Sequence, residues 1–416
     1  MADCADIVIV GAGAAGLATA IFAARAGTGR RVVVLDGART PGAKILVSGG
    51  SRCNVTNVVV TERDFNGGRP AVVRQVLRAL PVDETVAFFR GIGVPLHEEP
   101  GGKLFPDSNR SRDVLDALLR ALRDAGAELH AGTRVTTIER DGGEFVIQTS
   151  SDAVRTSRVV LATGGLSLPK TGSDGAGYDF ARAFGHTIVE PTPALVPLIV
   201  DDHAGAVSTA ALSGVSHPAT LDLRTNRRIE LSLEGALLWT HFGISGPLAL
   251  DISRHWLRAG LDSREPRLTA RLVSGQSFDS LDELLTRISS ERSRTTLDRA
   301  VATLLPASVA AFAITAAGIP GDIALAQLTR SDRRRLVHAL VEWPLPVRDS
   351  RGYNYAEVTA GGVTLTEIDP KTMESRKCPG LYFVGEILDV DGRIGGFNFQ
   401  WAWSSARVAA RALVRS

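Results

Sequence analysis

Gly11-Ala12-Gly13-Ala14-Ala15-Gly16 spaces three glycines as GxGxxG. Such a loop lets backbone N–H groups approach a pyrophosphate where a helix begins, and the helix terminus adds partial positive charge. An acid, Asp36, stands twenty residues beyond Gly16, where a carboxylate can accept hydrogen bonds from ribose hydroxyls. Three later features favour FAD over a plain nicotinamide nucleotide. Thr163 and Gly164 in "VVLATGG" put small residues at a strand end. Gly385 and Glu386 in "GLYFVGE" supply a second acid after a strand. Gly395 and Gly396 precede the last helix, whose N-terminus could stabilise negative charge on a reduced flavin.

Other residues carry two readings each. Cys53, in "SGGSRCNVTN", has Arg52 and Asn54 beside it. A neighbouring guanidinium and nearby N–H groups would lower its pKa, and the thiol could hand a proton to a substrate carbon. It could equally be a small side chain packed inside. Asp389 and Asp391 are acid–base candidates or turn formers. His241, in "WTHFGISGP", is a substrate contact or a structural histidine. Among the aromatics Phe397, Trp401 and Trp403, Trp401 could wall a substrate site, although helical spacing also suits core packing. No HExxH, GxSxG or Walker lysine occurs, which disfavours zinc, serine and nucleoside-triphosphate hydrolysis. Three cysteines without a CxxC argue against a disulfide framework and against a metal site, and fit a reducing cytoplasm.

These residues need positioning elements. "DIVIVG" reads as a buried strand, residues 14–27 as a helix, and "RRVVVLD" as a second buried strand, so the glycine loop sits in a βαβ unit. Acidic flanks and punctuating glycines make this reading better than a membrane span for residues 7–26. Residues 112–125 and 176–185 read as helices, "RVTTIERDGGEFVIQTS" as a hairpin, and 398–415 as a final helix. The texture becomes antiparallel from about residue 195 and helical from about 280. At 416 residues the chain exceeds one core. The expected layout is an FAD-binding domain over 1–194 and 350–416, a β-rich insertion over 195–278 and a helical part over 279–349. A net charge of +2 gives no global pull toward nucleic acid or membrane. Arg224, Arg227, Arg228, Arg330, Arg333, Arg334 and Arg335 are a candidate RNA-binding surface or a solvated face.

Beyond these motifs, "PGAKILVSGGSRCNVTN", "KTGSDGAGY", "LWTHFGISGPLALDIS", "AEVTAGGV" and "IGGFNFQWAWSSA" run almost end to end. With them the chain resembles the aminoacetone-oxidase-like, or BaiN/RdsA-type, flavoproteins. The resemblance implies an α/β fold: a two-dinucleotide-binding, Rossmann-like FAD domain with an inserted β-barrel-like domain and a helical cap. It places Gly11, Gly13, Ala14, Ala15 and Gly16 on the pyrophosphate and Asp36 on ribose. It also implies Lys44 and Arg52 near phosphates or flavin, Val135 against adenine, and Gly385, Glu386, Gly396, Phe397 and Asn398 around the ribityl chain and ring. Ser51, Phe397 and Ala406 depart from the family's usual glycine, tyrosine and glycine.

Three functions follow. The first is hydride transfer from FAD to an activated C=C bond, in ribosomal RNA uridine or in an enone, with NADH or NADPH as a transient donor. The second is oxidation of an aminoacetone-like amine by oxygen. The third is a flavin-bearing RNA-binding factor without turnover. No membrane partner is expected.

Overall fold

A computed structural model describes residues 3–27, 29–201, 208–226 and 228–415. The chain forms two compact units, Met1–Pro193 with Ala356–Ser416, and Ala194–Tyr355.

The first unit is built on a seven-stranded sheet. Strands Glu128–Ala131, Val32–Asp36, Asp3–Val10 and Ala153–Leu161 lie side by side in that order, all parallel. Ile7, Val8 and Ile9 are fully buried, as are Val33, Val34 and Val159 to Leu161 on the neighbouring strands. Apolar side chains on both faces are what a parallel sheet covered on both sides requires. The long strand Ala153–Leu161 has two partners. Its first half pairs antiparallel with Glu144–Thr149, and its last residues pair parallel with Leu381–Phe383. The returning C-terminal segment therefore completes the sheet begun by the N-terminal one.

One helix covers the start of this sheet, and a second packs on that helix. Ala14–Ala24 is apolar nearly all round, and every residue from Ala15 to Ala23 is buried. It packs against the last helix, Phe397–Leu413, in which Gln400 to Ala406 are all buried. A helix without a polar face must be enclosed, and each of these two encloses the other.

The second unit holds a seven-stranded antiparallel sheet whose longest strands, Ser216–Thr225 and Arg228–Thr240, form one hairpin. Its ladders make an open path that ends at Trp343–Leu345 and Val347–Ser350. Helices Phe278–Glu291, Ala307–Ala316 and Arg330–Val341 share one hydrophobic core with the strands, including Trp239, Leu285, Phe312 and Leu340. The stretches 195–278 and 279–349 thus contribute to a single body.

The glycine loop is tightly packed. Gly11 has φ 104°, and a Cβ there would come 2.5 Å from Ala162 O. A Cβ on Gly16 would overlap Gly11 O, whereas one on Gly13 would meet nothing within 4 Å. Gly16→Ala should therefore cost about 1–3 kcal/mol through overpacking, a fall in Tm of about 2–12 °C for a unit of this size. In protein freed of FAD, Gly13→Ala should shift Tm much less. Thermal melts of the two variants check this, and equal melting points would refute the packing role of Gly16.

Candidate active site

The first three N–H groups of helix Ala14–Ala24 have no partner within the helix. Gly13, its N-cap, contributes no side chain over them. Beside this opening, Asp36 ends its strand and accepts from two backbone donors, Ala12 N at 2.5 Å and Ala38 N at 2.7 Å. The carboxylate fixes the turn and retains lone pairs for ribose hydroxyls. The three glycines have three separate tasks: a tight turn, an open approach and close helix packing. This is the division of labour a bound pyrophosphate needs.

A second cluster forms around Glu386, in the single turn Gly385–Ile387. Its Oε1 accepts from Ser167 Oγ at 2.6 Å and from Thr359 N at 3.0 Å. Its Oε2 accepts from Lys44 Nζ, which also reaches Ser167. Thr359 Oγ1 in turn accepts from Leu166 N and Ser167 N. Ser167 and Thr359 lie within motifs visible in the sequence, "GGLSLPKTG" and "AEVTAGG". Neither was singled out, because their role depends on a carboxylate more than two hundred residues away from Ser167 in one case.

The last helix starts at Gly396, where a Cβ would lie 2.5 Å from Thr56 O. Asn398 turns back onto its own loop. Its Oδ1 accepts from Gly392 N and its Nδ2 donates to Gly392 O, both at 2.8 Å. Asn57 Nδ2 donates to Gly395 O at 3.2 Å, a contact sequence reasoning missed. Asn54 Oδ1 is buried without a hydrogen-bond partner, so a polar ligand group would complete it. The three-way glycine loop, the paired Asp36 and this orphaned oxygen all fit FAD. Thr163, Gly164 and Val135 sit in the same unit, at the end of strand Ala153–Leu161 and at the start of strand Val135–Asp141.

Several expectations need correction. Arg52 does not activate Cys53. Its guanidinium pairs with Glu99 at 2.5 and 3.2 Å and lies over Phe105, 4.1 Å from the ring centre. Cys53 is completely buried, and burial pushes its thiol up to about 12, with Ser48 opposing weakly. The residue has φ 63° and follows Gly49, Gly50 and Ser51, all left-handed as well. Trp401 is also interior: 1% exposed, with its Nε1 donating to Gly385 O at 3.1 Å. Phe397 and Trp403 are buried too, which removes the aromatic wall considered for an amine substrate. Asp391 is buried on strand Val390–Gly392, opposite Asn66. His241 is exposed on a turn of the second unit.

The arginine surface is largely committed. Arg333 pairs with Asp282, Arg335 with Asp332 and Arg224 with Glu342, while Arg334 lies over Phe278. Arg227 lies outside the described residues. Among the described residues no group of acids, histidines and cysteines is arranged to hold a metal, and no helix is long and apolar enough to cross a membrane.

The HI0933-like protein Rossmann domain family matches residues 5–412. The chain belongs to this family. Members of known activity are similar over their full length. Ribosomal RNA dihydrouridine synthase of Escherichia coli K12 is 33% identical, with 98% of each chain covered. The 3-dehydro-bile acid delta(4,6)-reductase of Clostridium scindens is 32% identical, again with 98% of each covered. The fold also resembles 3-ketosteroid-delta4-(5alpha)-dehydrogenase from Rhodococcus jostii RHA1, at TM-score 0.51 and 16% identity, covering 100% of this chain and 97% of that one. Family membership and the site together make this HI0933-like protein an FAD-dependent oxidoreductase.

A buried thiol with a raised pKa destabilises the fold at high pH. Cys53 keeps its proton in the folded state up to about 12, whereas an unfolded cysteine loses it near about 8.5. Above that value the unfolded chain holds fewer protons, so stability falls as pH rises. Urea melts from pH 8 to about 11 should therefore show a shallower decline for Cys53→Ala than for the wild type. Parallel declines would place the raised pKa elsewhere.

Proposed function

We propose that this protein reduces an activated ring C=C bond, and specifically that of a uridine in ribosomal RNA. The observation that carries the reading is full-length membership in a family where two relatives act on such bonds. Dihydrouridine is uridine with its ring double bond saturated, and the bile-acid relative is a delta(4,6)-reductase. Reduced FAD, when bound, supplies the hydride. NADH or NADPH would reload it, visiting the site transiently.

The chain's own residues have the remaining tasks. Gly11 to Gly16 and Asp36 would hold the adenosine diphosphate half, and Val135 would offer its backbone to adenine. Lys44 and Glu386, locked through Ser167 and Thr359, would orient the ribityl side. The N-terminus of the last helix, held in place by Gly396 and Asn398, would favour negative charge on the ring.

Saturating the bond also requires a proton. Efficient general acids have pKa values near the working pH. A thiol at about 12 is too weak an acid, so Cys53 is assigned to packing. Proton handling is assigned to Asp391, a buried carboxylate on strand Val390–Gly392, whose Gly392 is held by Asn398 of the last helix.

Two measurements test this reading. Ribosomal RNA from cells lacking the gene should lose dihydrouridine, scored by nucleoside mass spectrometry. An unchanged level would end the RNA version. In purified protein, Asp391→Asn should bind FAD and be bleached by NADPH, yet turn over about 10²–10⁴-fold more slowly. Cys53→Ala should retain turnover within a few fold. The reverse pattern would make Cys53 the proton donor.

A further inference from the structure

A groove of about 760 Å³ opens on the first unit. Its cations come from four separate parts of the chain. Arg78 follows helix Pro70–Leu77, Arg158 lies within strand Ala153–Leu161, Lys371 sits in a turn, and Arg411 ends the last helix with Arg415 just beyond it. The flavin-side loops leave the carboxyl ends of the strands, at Gly11, Thr163 and Gly385. The groove is instead lined by Ser157 and Gly380, earlier along the same two strands. From Asn398 to Arg411 the last helix rises about 20 Å. The groove is therefore distinct from the candidate active site.

Most of its positive charge is uncompensated. Glu374 is the one carboxylate among the lining residues, and it already accepts from Gly380 N at 2.7 Å. Arg78, Lys371, Arg411 and Arg415 are exposed. Among the described residues, none of these four has an acid within ion-pair distance. This differs from the arginine-rich helix of the second unit, where Arg333 and Arg335 pair with Asp282 and Asp332 and Arg334 lies over Phe278.

The occupant's chemistry follows from shape and lining. The volume exceeds what a single phosphate needs. Tyr382, the one aromatic residue in the lining, is buried and has no free face for a base. A concave groove admits a charged chain rather than the plane of a lipid surface. Arg411 lies in the last turn of the final helix and Arg415 just beyond its end, so two cations come close together in the chain, as a phosphodiester chain with repeated charges requires.

We propose that this groove binds the sugar–phosphate backbone of RNA, as a docking site about 20 Å along the last helix from the flavin-side loop. It rests on the RNA reading of the function. It would hold the substrate without reading its sequence, because phosphate contacts position and base contacts specify.

The test compares wild-type holoenzyme with a Lys371→Ala, Arg411→Ala, Arg415→Ala triple variant, using a fluorescent transcript of large-subunit ribosomal RNA. The flavin spectrum and Tm of both proteins confirm folding. If the triple variant fails to fold, single Lys371→Ala and Arg415→Ala variants measure the same effect in smaller steps. The triple variant should bind at least about tenfold more weakly, and the slope of log affinity against log salt should be shallower by about 2. Equal affinity and slope would overturn the groove while leaving the RNA reading intact. A wild type that does not bind the transcript would also overturn the groove; the dihydrouridine measurement then judges the function separately. Loss of binding to phosphatidylglycerol vesicles with RNA binding unchanged would assign the groove to lipid instead, and so overturn it.

Discussion

The carboxylate of Glu386 gathers four segments that are far apart in the chain. Lys44 begins a helix near the N-terminus, Ser167 lies in the loop after the central strand, Thr359 lies on a strand of the returning segment, and Glu386 follows another. The ion pair is only partly screened, with side chains 23% and 19% exposed. Removing either partner would leave the other charge poorly solvated, which costs more than the pair itself contributes. Without this knot the flavin-side loops would share a sheet but no common anchor. In the proposed reading the glycine loop would hold one half of the dinucleotide by close packing of backbone, and the Glu386 cluster would hold the other half by charge.

A second hub lies inside the last helix. Gln400 accepts from Thr56 and donates to Leu80 O, Thr85 and Ser404. Trp403 donates to Val55 O and Trp401 to Gly385 O. Buried polar groups are tolerable only when satisfied, and Gln400, Trp401 and Trp403 are each satisfied by a loop backbone or a neighbouring hydroxyl. The helix thereby fixes both sides of the candidate site. The row Glu367–His186–Ser375 shows how a similar arrangement can be purely structural. His186 contacts Glu367 at 3.0 Å and Ser375 at 2.7 Å, in the order of a hydrolytic triad. Yet Ser375 is buried and accepts from Lys377 N and Cys378 N. Burial lowers the His186 pKa, and access, which a nucleophile requires, is missing.

What could be read in advance followed from local pattern. The glycine loop, the strand before it, the acid after it and the last helix depend on spacing within a few dozen residues, and the fold places them as expected. The long-range partners were not legible. Arg52 looked available for phosphate or thiol because Glu99 and Phe105 meet it only through a sheet formed later in the chain. Trp401 stayed open between a substrate wall and core packing because its hydrogen-bond acceptor, Gly385 O, is supplied by another loop. The arginine-rich helix looked basic because Asp282, its neutralising partner, lies on a different helix. Composition and periodicity describe a residue's own element. They do not describe what that element is packed against.

The burial of Cys53 has a consequence for survival in air. A reduced flavin that meets oxygen releases peroxide close to its own binding loops. Peroxide attacks thiolates that it can reach, and drives them stepwise to sulfenic and then irreversible acids. Cys53 offers neither a thiolate nor a path, because it is enclosed and holds its proton to about 12. The loop that carries Cys53 is thereby shielded from an oxidant that a bound flavin would generate.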